Sequence, residues 1–160
     1  MAKSKEEKTN VMRTLEQKKI PYTAHSYDPE GPIDGVSVAQ TLGQPPEQVF
    51  KTLVTKGASG AYYVFDIPVA ENLDLKKAAK AVGEKSIVML PQKELLGLTG
   101  YVHGGCSPVG MKKQFPTVFH ETANHLELIA VSAGKIGHQV QVKPADLLAL
   151  LRAKTADVVG

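Results

Sequence analysis

One lysine is a candidate for chemistry because of the segment in which it lies. Residues 20–75 carry seven acidic side chains, and Lys51 and Lys56 are the only cations among them. The segment Val49 to Val54 predicts a strand whose two faces are both mostly apolar. A lysine there either reaches solvent at a sheet edge or holds its ammonium group in a pocket. In a pocket, Lys51 could stabilise negative charge that develops during a reaction.

Two turns rich in small residues are candidates for close approach of the backbone to a ligand. Residues 104–110 read Gly-Gly-Cys-Ser-Pro-Val-Gly, and Lys112 and Lys113 follow directly. Adjacent glycines let N–H groups point at an anion, although a plain loop is the commoner structure for such a segment. Residues 132–137 read Ser-Ala-Gly-Lys-Ile-Gly, which favours a hairpin connection. Neither segment has the Walker A order, so no nucleotide cofactor is expected.

The other nucleophiles and metal-ligating residue types do not form a recognisable catalytic pattern. Cys106 is the only cysteine, and nothing in the sequence pairs it with a base, so a packed small residue is expected. His120, Glu121 and His125 come close to H-E-x-x-H, but the histidines would lie about 140° apart around a helix. No metal site is therefore expected. His25 is expected to be a partly buried strand residue.

Length and composition are those of one ordinary domain. The chain has 160 residues, of which 42% are apolar and 22% are charged, which is typical of a globular domain and not of a disordered chain. No apolar run approaches the ~18 residues of a membrane span, so no membrane partner is expected. The first residues lack the apolar core of a signal peptide, and the expected location is cytoplasmic.

The elements that would position these residues alternate irregularly between helix and strand. A first helix of about four turns is expected to begin in a capping box formed by Ser4 and Glu7. Pro91 and Pro144 are expected to open two later helices. The remaining helices are predicted at 37–42 and 74–82, and strands at 22–27, 49–55, 61–68, 86–90, 117–120, 128–132 and 138–143. This order predicts an α+β (mixed α/β) single domain over residues 1–160, with a curved mixed sheet or partial barrel and helices packed outside.

Several of these segments, in this order, resemble the YbaK/EbsC family of aminoacyl-tRNA deacylases, which are relatives of the editing domain of bacterial prolyl-tRNA synthetases. The resemblance covers nearly the whole chain and implies a mixed α/β domain with a curved sheet around a pocket. The segments that carry it are Ile20-Pro21-Tyr22, His25-Ser26-Tyr27, Val49-Phe50-Lys51-Thr52-Leu53, residues 72–79, residues 100–110 and Val131-Ser132-Ala133-Gly134-Lys135.

The resemblance also implies roles for individual residues. Lys51 matches the family residue most closely tied to activity and is the expected catalytic residue. The expected substrate-binding residues are Tyr27, Thr52, Gly104, Gly105, Ser107, Pro108, Ser132 and Gly134. The chain departs from the family at Ala133, where members often carry a second glycine after the serine.

The activity implied by the resemblance is trans-editing of aminoacyl-tRNA. The expected substrate is cysteine mischarged on proline tRNA, with Cys-tRNA(Cys) as a further substrate, and no cofactor is expected. The substrate's own thiol would attack its carbonyl and leave as a thiolactone, which makes Cys106 a wall residue. Two alternatives stay open: a deacylase for alanine or another small amino acid, and a non-catalytic module that binds tRNA 3′ ends or a synthetase.

The expected partners are the CCA end of an aminoacyl-tRNA and, as an open question, prolyl-tRNA synthetase. The net charge of +3 is unevenly distributed, with +3 on residues 1–19, −5 on residues 20–75 and +5 on residues 76–120. The two basic segments are candidates for contacts with the tRNA backbone, since an acceptor end needs only a few phosphate contacts. No RNA-recognition motif with stacked aromatic residues is present.

Overall fold

The computed structural model describes residues 8–160. Its helices are α1 (Asn10–Gln17), α2 (Gly35–Leu42), α3 (Leu75–Val82), α4 (Gln92–Thr99) and α5 (Pro144–Leu151). Its strands are β1 (Thr23–Ser26), β2 (Phe50–Gly57), β3 (Tyr62–Pro68), β4 (Ile87–Met89), β5 (Thr117–His120), β6 (Ile129–Ser132), β7 (His138–Val142) and β8 (Lys154–Ala156). Short 3₁₀ helices cover Pro46–Gln48 and Glu121–His125.

The strands form two open sheets. One sheet has the order β4-β2-β3-β5-β8 and is mixed, because β3, β5 and β8 are parallel whereas β2 is antiparallel to both neighbours. The other sheet has the order β1-β7-β6 and is antiparallel. A parallel bridge between Val49 and Ala130 links them. The predicted α+β class and mixed sheet are confirmed, but the strands divide into two sheets and neither closes into a barrel.

Local capping residues explain where the helices begin and end. Asp34 caps α2 by accepting a hydrogen bond from the Ser37 N–H, and Asp74 caps α3 in the same way. Gly43 and Gly83 end these helices in the left-handed conformation, as the sequence predicts. In the described part of the chain, α1 begins after Thr9, which accepts a hydrogen bond from the Met12 N–H. The predicted capping box at residues 4 and 7 lies outside the described residues.

The hairpin of β2 and β3 is the central unit of the larger sheet. It is antiparallel, and its register places Lys51 opposite Ile67 and Thr52 opposite Asp66. Strand β8 was not predicted, because it has only three residues and no apolar run. It pairs in parallel with β5 at the edge of the sheet.

Clusters of buried side chains hold the layers together. Helices α1 and α5 pack against β6 and β7, and α3 packs against Phe65 and Ile67 of β3. The opposite face of the hairpin is covered by the segment that follows α4, where Cys106, Met111 and Phe115 pack on it. This covering segment contains the glycine-rich loop, so packing on the hairpin holds the loop close to Lys51 and Thr52. None of the helices within residues 8–160 has the length and apolar character that a membrane span requires.

Candidate active site

A cavity of about 340 Å³ lies where the two sheets separate. Val49 and Ala130 are bridged, but β6 then pairs only with β7, and β4 pairs with β2 only from Thr55 to Gly57. Beyond the Val49–Ala130 bridge, residues 50–53 pair with no strand of the described chain at this edge, and the cavity lies beside them. Its volume is that of a small-molecule site.

The open edge exposes backbone groups of β2 to the cavity. The Val54 carbonyl accepts a hydrogen bond of 3.0 Å from the Leu90 N–H at the end of β4. Residues two apart along a strand direct their backbone groups to the same edge. The N–H of Thr52 therefore faces the cavity, between the side chains of Lys51 and Thr52.

Five of the predicted site residues line this cavity: Tyr27, Lys51, Thr52, Gly104 and Ser132. They come from the end of β1, from β2, from the glycine-rich loop and from β6. Residues far apart in sequence thus meet at one place, as the resemblance implies. Their contact with substrate stays a prediction.

Gly105, Ser107 and Pro108 are buried and do not line the cavity. The N–H of Gly105 donates a hydrogen bond of 2.9 Å to the Val102 carbonyl, so it is not available to hold a substrate carbonyl. The Ser107 hydroxyl accepts a hydrogen bond of 3.2 Å from the Val109 N–H. These hydrogen bonds fix the conformation of the loop. They indicate that Gly105 and Ser107 hold the loop in place behind the cavity wall.

Gly134 also lies outside the lining, behind Ser132. Its N–H donates a hydrogen bond of 3.1 Å to the Ser132 hydroxyl, which fixes that side chain at the cavity wall. Its φ of +90° is strained for other residues, and a Cβ here would lie 3.0 Å from Tyr101 and Val11 atoms. Gly134 therefore permits the tight turn that ends β6.

Gly104 brings the loop itself to the cavity wall. Its φ is +90°, and a Cβ would lie 2.9 Å from the Cδ1 atom of Ile33, which is another lining residue. The conformation and the close packing both favour glycine at this position.

Lys51 is half-buried and is the one lysine or arginine among the described residues that line the cavity. Burial lowers the pKa of its ammonium group, and the nearby Glu71 carboxylate opposes that shift. The structure thus places Lys51 in a pocket and not at a solvent-facing sheet edge. A partly desolvated ammonium group interacts more strongly with developing negative charge than an exposed one.

Asp66 is a buried carboxyl that no motif in the sequence indicates. Its side chain is 0% exposed, and its Oδ1 atom shares a hydrogen bond of 2.6 Å with the Thr52 Oγ1 atom. Its Oδ2 atom has no hydrogen-bond partner within residues 8–160. Burial raises the pKa of Asp66 to about 8, and a hydrogen bond that Thr52 donates to the ionised carboxylate opposes this shift in part. The sequence signal was a single charged residue between Phe65 and Ile67 in an otherwise apolar and aromatic strand.

Cys106 forms part of the apolar wall. It is 9% exposed, and burial together with the Asp66 carboxyl raises the pKa of its thiol to about 12. The thiol therefore stays protonated at neutral pH and is a poor nucleophile. This agrees with the expected role of Cys106 as a wall residue.

Histidine and glutamine side chains also line the cavity, although no motif in the sequence indicates them. His103, His138 and Gln139 line the cavity, and the amides of Gln139 and Gln44 exchange hydrogen bonds of 3.0 and 2.7 Å. This reciprocal pair fixes Gln139 in the wall. His25 is partly buried in β1, as expected, and its Nε2 atom lies 2.7 Å from the Gln141 amide oxygen.

The near match to a zinc motif lies elsewhere in the fold. His120 is buried at the end of β5, and its Nδ1 atom accepts a hydrogen bond of 3.3 Å from the Val158 N–H. His125 ends the following 3₁₀ helix. Across residues 8–160, no group of three or more histidine, cysteine, aspartate or glutamate side chains is arranged to hold a metal ion.

Comparison with known proteins connects this geometry to a family. The aminoacyl-tRNA editing domain family matches residues 34–150, which include the cavity residues of β2, of the glycine-rich loop and of β6. A protein of Enterococcus faecalis is 46% identical over 160 residues, which cover 99% of this chain and 98% of the relative. That relative is provisionally named as the Cys-tRNA(Pro)/Cys-tRNA(Cys) deacylase EbsC.

Two solved structures have the same fold. A protein described as a provisional trans-editing enzyme for prolyl-tRNA synthetase is 27% identical, with a TM-score of 0.81 and 94% of each chain covered. A hypothetical protein is 20% identical, with a TM-score of 0.86, over 94% of this chain and 99% of the other. The resemblance seen in the sequence is therefore confirmed, and the chain belongs to the aminoacyl-tRNA editing domain family.

Proposed function

We propose that the chain is a trans-editing aminoacyl-tRNA deacylase that removes mischarged cysteine from Cys-tRNA(Pro) and also acts on Cys-tRNA(Cys). The observation that carries the proposal is the position of Lys51, half-buried in a small-molecule cavity beside the open edge of β2. The relative that is 46% identical bears the name of this activity, which supports the choice of substrate.

Lys51 and the open edge of β2 supply what the reaction needs most. Attack on the ester carbonyl places negative charge on the carbonyl oxygen, and fixed donors that point at this oxygen lower the barrier. The Thr52 N–H and the Lys51 ammonium group face the same cavity and can act on the oxygen together. The Gly105 N–H is already bonded to Val102, so the oxyanion site that we propose lies on β2 and not in the glycine-rich loop.

The substrate's own thiol is the proposed nucleophile. Its sulfur attacks the carbonyl carbon, the bond between that carbon and the 3′ oxygen of the tRNA breaks, and the thiol proton passes to the leaving oxygen. The products are cysteine thiolactone and tRNA with a free 3′ hydroxyl. The protonated state of Cys106 supports this route, because the thiol in the wall does not compete with that of the substrate.

The proposed partners are the CCA end of the tRNA and prolyl-tRNA synthetase. The cavity accepts a ligand the size of an aminoacyl group with part of its adenosine, so other contacts must select the tRNA. Lysine side chains outside the cavity, including the exposed Lys112 and Lys113, can contact the phosphate backbone. A synthetase that presents the mischarged tRNA would supply the remaining specificity.

The decisive assay measures ester loss from Cys-tRNA(Pro), Cys-tRNA(Cys) and Ala-tRNA(Pro), each with and without prolyl-tRNA synthetase. We expect the fastest release from the cysteine esters, and faster release from Cys-tRNA(Pro) when the synthetase is present. Preference for alanine would replace the proposed substrate with a smaller one. Binding of tRNA without ester loss would show a non-catalytic module.

Substitution of Lys51 tests the mechanism. We expect Lys51→Ala to lower the deacylation rate by about 10²–10³-fold, the effect of removing one oxyanion donor. Lys56→Ala is the matched control, because Lys56 lies on the same strand, is exposed, and has its ammonium group 5.8 Å from the Tyr62 ring centre. Turnover by a folded Lys51→Ala protein at the rate of the Lys56→Ala control would exclude the assignment.

A further inference from the structure

Asp66 is a buried group next to the cavity for which the proposed reaction has no role. It lies on β3 directly opposite Thr52 of β2, and the two side chains share a hydrogen bond of 2.6 Å. Thr52 in turn lines the cavity beside Lys51. Asp66 is therefore one hydrogen bond away from the place where the ester would bind.

The charges around Asp66 do not compensate an ionised carboxylate. On β2, the electrostatic partner of Lys51 is Glu71. On β5, His120 bonds the Val158 N–H and faces Asp157. From the covering segment, the group that interacts with Asp66 is the Cys106 thiol, which is itself protonated.

The other titratable groups of the covering segment either bond elsewhere or are exposed to solvent. The Tyr101 hydroxyl donates to the Val109 carbonyl, and Lys112 and Lys113 are exposed. No ion pair to Asp66 is found in the described residues. An ionised Asp66 would keep a buried charge with one hydrogen bond and an unpartnered Oδ2 atom, which is costly. The neutral acid is therefore the favoured form at neutral pH.

The protonation state of Asp66 decides how the Thr52 hydroxyl is oriented. The neutral acid must place its hydrogen on an acceptor, and the Thr52 Oγ1 atom is its one hydrogen-bond partner in the described chain. Because a hydroxyl has one hydrogen, a Thr52 that accepts from Asp66 can direct that hydrogen into the cavity. An ionised Asp66 would reverse the bond, and Thr52 would then present only lone pairs to a ligand.

We propose that Asp66 is a positioning residue, which donates its acid hydrogen to Thr52 and so turns the Thr52 hydroxyl hydrogen toward the carbonyl oxygen of the aminoacyl ester. The inference rests on the proposed function and adds a third donor to the oxyanion site on β2. It also explains why a buried carboxyl with an unpartnered oxygen lies next to the cavity.

The test compares wild type with Asp66→Asn on Cys-tRNA from about pH 6 to about pH 9. The Asn amide keeps the shape and can donate to Thr52 at every pH, so it imitates the neutral acid. Ionisations of the substrate affect both proteins equally and cancel in the ratio of their kcat values. We expect the two values to agree within about threefold near pH 6, and the ratio of wild type to variant to fall about tenfold by pH 9 because wild-type Asp66 ionises.

Two further variants separate positioning from folding. Asp66→Ala should lower kcat about tenfold at neutral pH with KM nearly unchanged, the size expected for one misdirected hydrogen bond. In a Thr52→Val background, which has no hydroxyl to orient, neither Asp66 substitution should change kcat and the pH dependence of the ratio should vanish. A purely structural Asp66 would act in both backgrounds, and that result would overturn the proposal. Loss of activity in Asp66→Asn equal to that in Asp66→Ala would overturn it too.

An infrared difference spectrum of wild type against Asp66→Asn gives a readout that does not need activity. We expect the carbonyl band of a protonated carboxylic acid near neutral pH, and its loss on titration through about pH 8. Absence of this band at neutral pH would overturn the inference even if deacylation is found. If the band is present but the wild type releases no amino acid from any ester, the proposed function fails and the protonated state of Asp66 is still supported.

Discussion

Replacing Asp66 by Asn should remove a pH-dependent loss of stability. Burial raises the pKa of Asp66 from 3.8 to about 8, so between these values the folded protein holds a proton that the unfolded chain has released. The free energy of unfolding falls with pH wherever the folded state binds more protons. For one group the slope is about 1.4 kcal/mol per pH unit, so the wild type should lose about 3 kcal/mol between about pH 5 and about pH 7 that Asp66→Asn keeps.

This magnitude depends little on the final pKa value, because pH 5 and pH 7 both lie inside the window. The assay is urea unfolding followed by circular dichroism at several pH values, with the free energy of unfolding of wild type compared with that of Asp66→Asn. Other titrating groups are shared by the two proteins and cancel in the difference. Asp28→Asn changes an exposed carboxyl and is the matched control. A difference between wild type and Asp66→Asn that stays constant with pH would contradict this prediction, since Asp66 would then ionise in the folded protein as it does in the unfolded chain.

Three further predictions concern the cavity and the tRNA. Cys106→Ser should keep deacylation of Cys-tRNA within about threefold of wild type, because a protonated wall thiol takes no part; loss of activity would restore a covalent thioester route. Gly104→Ala should lower the free energy of unfolding by about 1–3 kcal/mol, since its φ of +90° and the contact with Ile33 both oppose a Cβ; an unchanged urea midpoint would contradict this. Replacing four lysines by alanine should reduce the salt dependence of tRNA binding by about 0.9 per lost phosphate contact, and an unchanged slope would exclude them as contacts; the four are Lys76, Lys77, Lys112 and Lys113.

Features fixed by neighbouring residues could be predicted from the sequence. The ends of α2 and α3 at Leu42 and Val82 follow from Gly43 and Gly83, whereas α2 begins two residues before its predicted start at 37 because Asp34 caps it. The pairing of β2 with β3 is equally local, since one short turn joins the two strands.

The division into two sheets could not be predicted, because it depends on pairing between distant parts of the chain. In the described chain the bridge between Val49 and Ala130 joins the sheets, while β6 pairs with β7 along its whole length. No local pattern shows where two strands stop pairing. That separation nevertheless creates the cavity, so the most important feature of the site is also the least visible in the sequence.

The residues named by the resemblance lie in and around one cavity, but the resemblance does not distinguish those that line it from those behind it. Gly104 and Ser132 line the cavity, whereas Gly105 and Gly134 belong to the same motifs and lie behind it. A glycine in a motif can permit close approach of the backbone to a ligand, or it can permit a turn of the loop itself. The motif alone does not show which of the two applies. The hydrogen bonds of Gly105 to Val102 and of Gly134 to Ser132 distinguish the two uses here.

Asp66 shows why a residue that no motif contains can still control the site. The sequence of β3 shows only that Asp66 is a carboxyl among apolar neighbours. Whether that carboxyl can affect a ligand depends on which residue lies opposite it in the sheet. The residue opposite is Thr52, which carries the one side-chain hydrogen bond that Asp66 makes within the described chain and which borders the cavity. Because the register of the hairpin sets this pairing, a shift of two residues would leave the same carboxyl without influence on the ester. The chemistry of Thr52 is therefore a property of the strand pair and not of either segment alone.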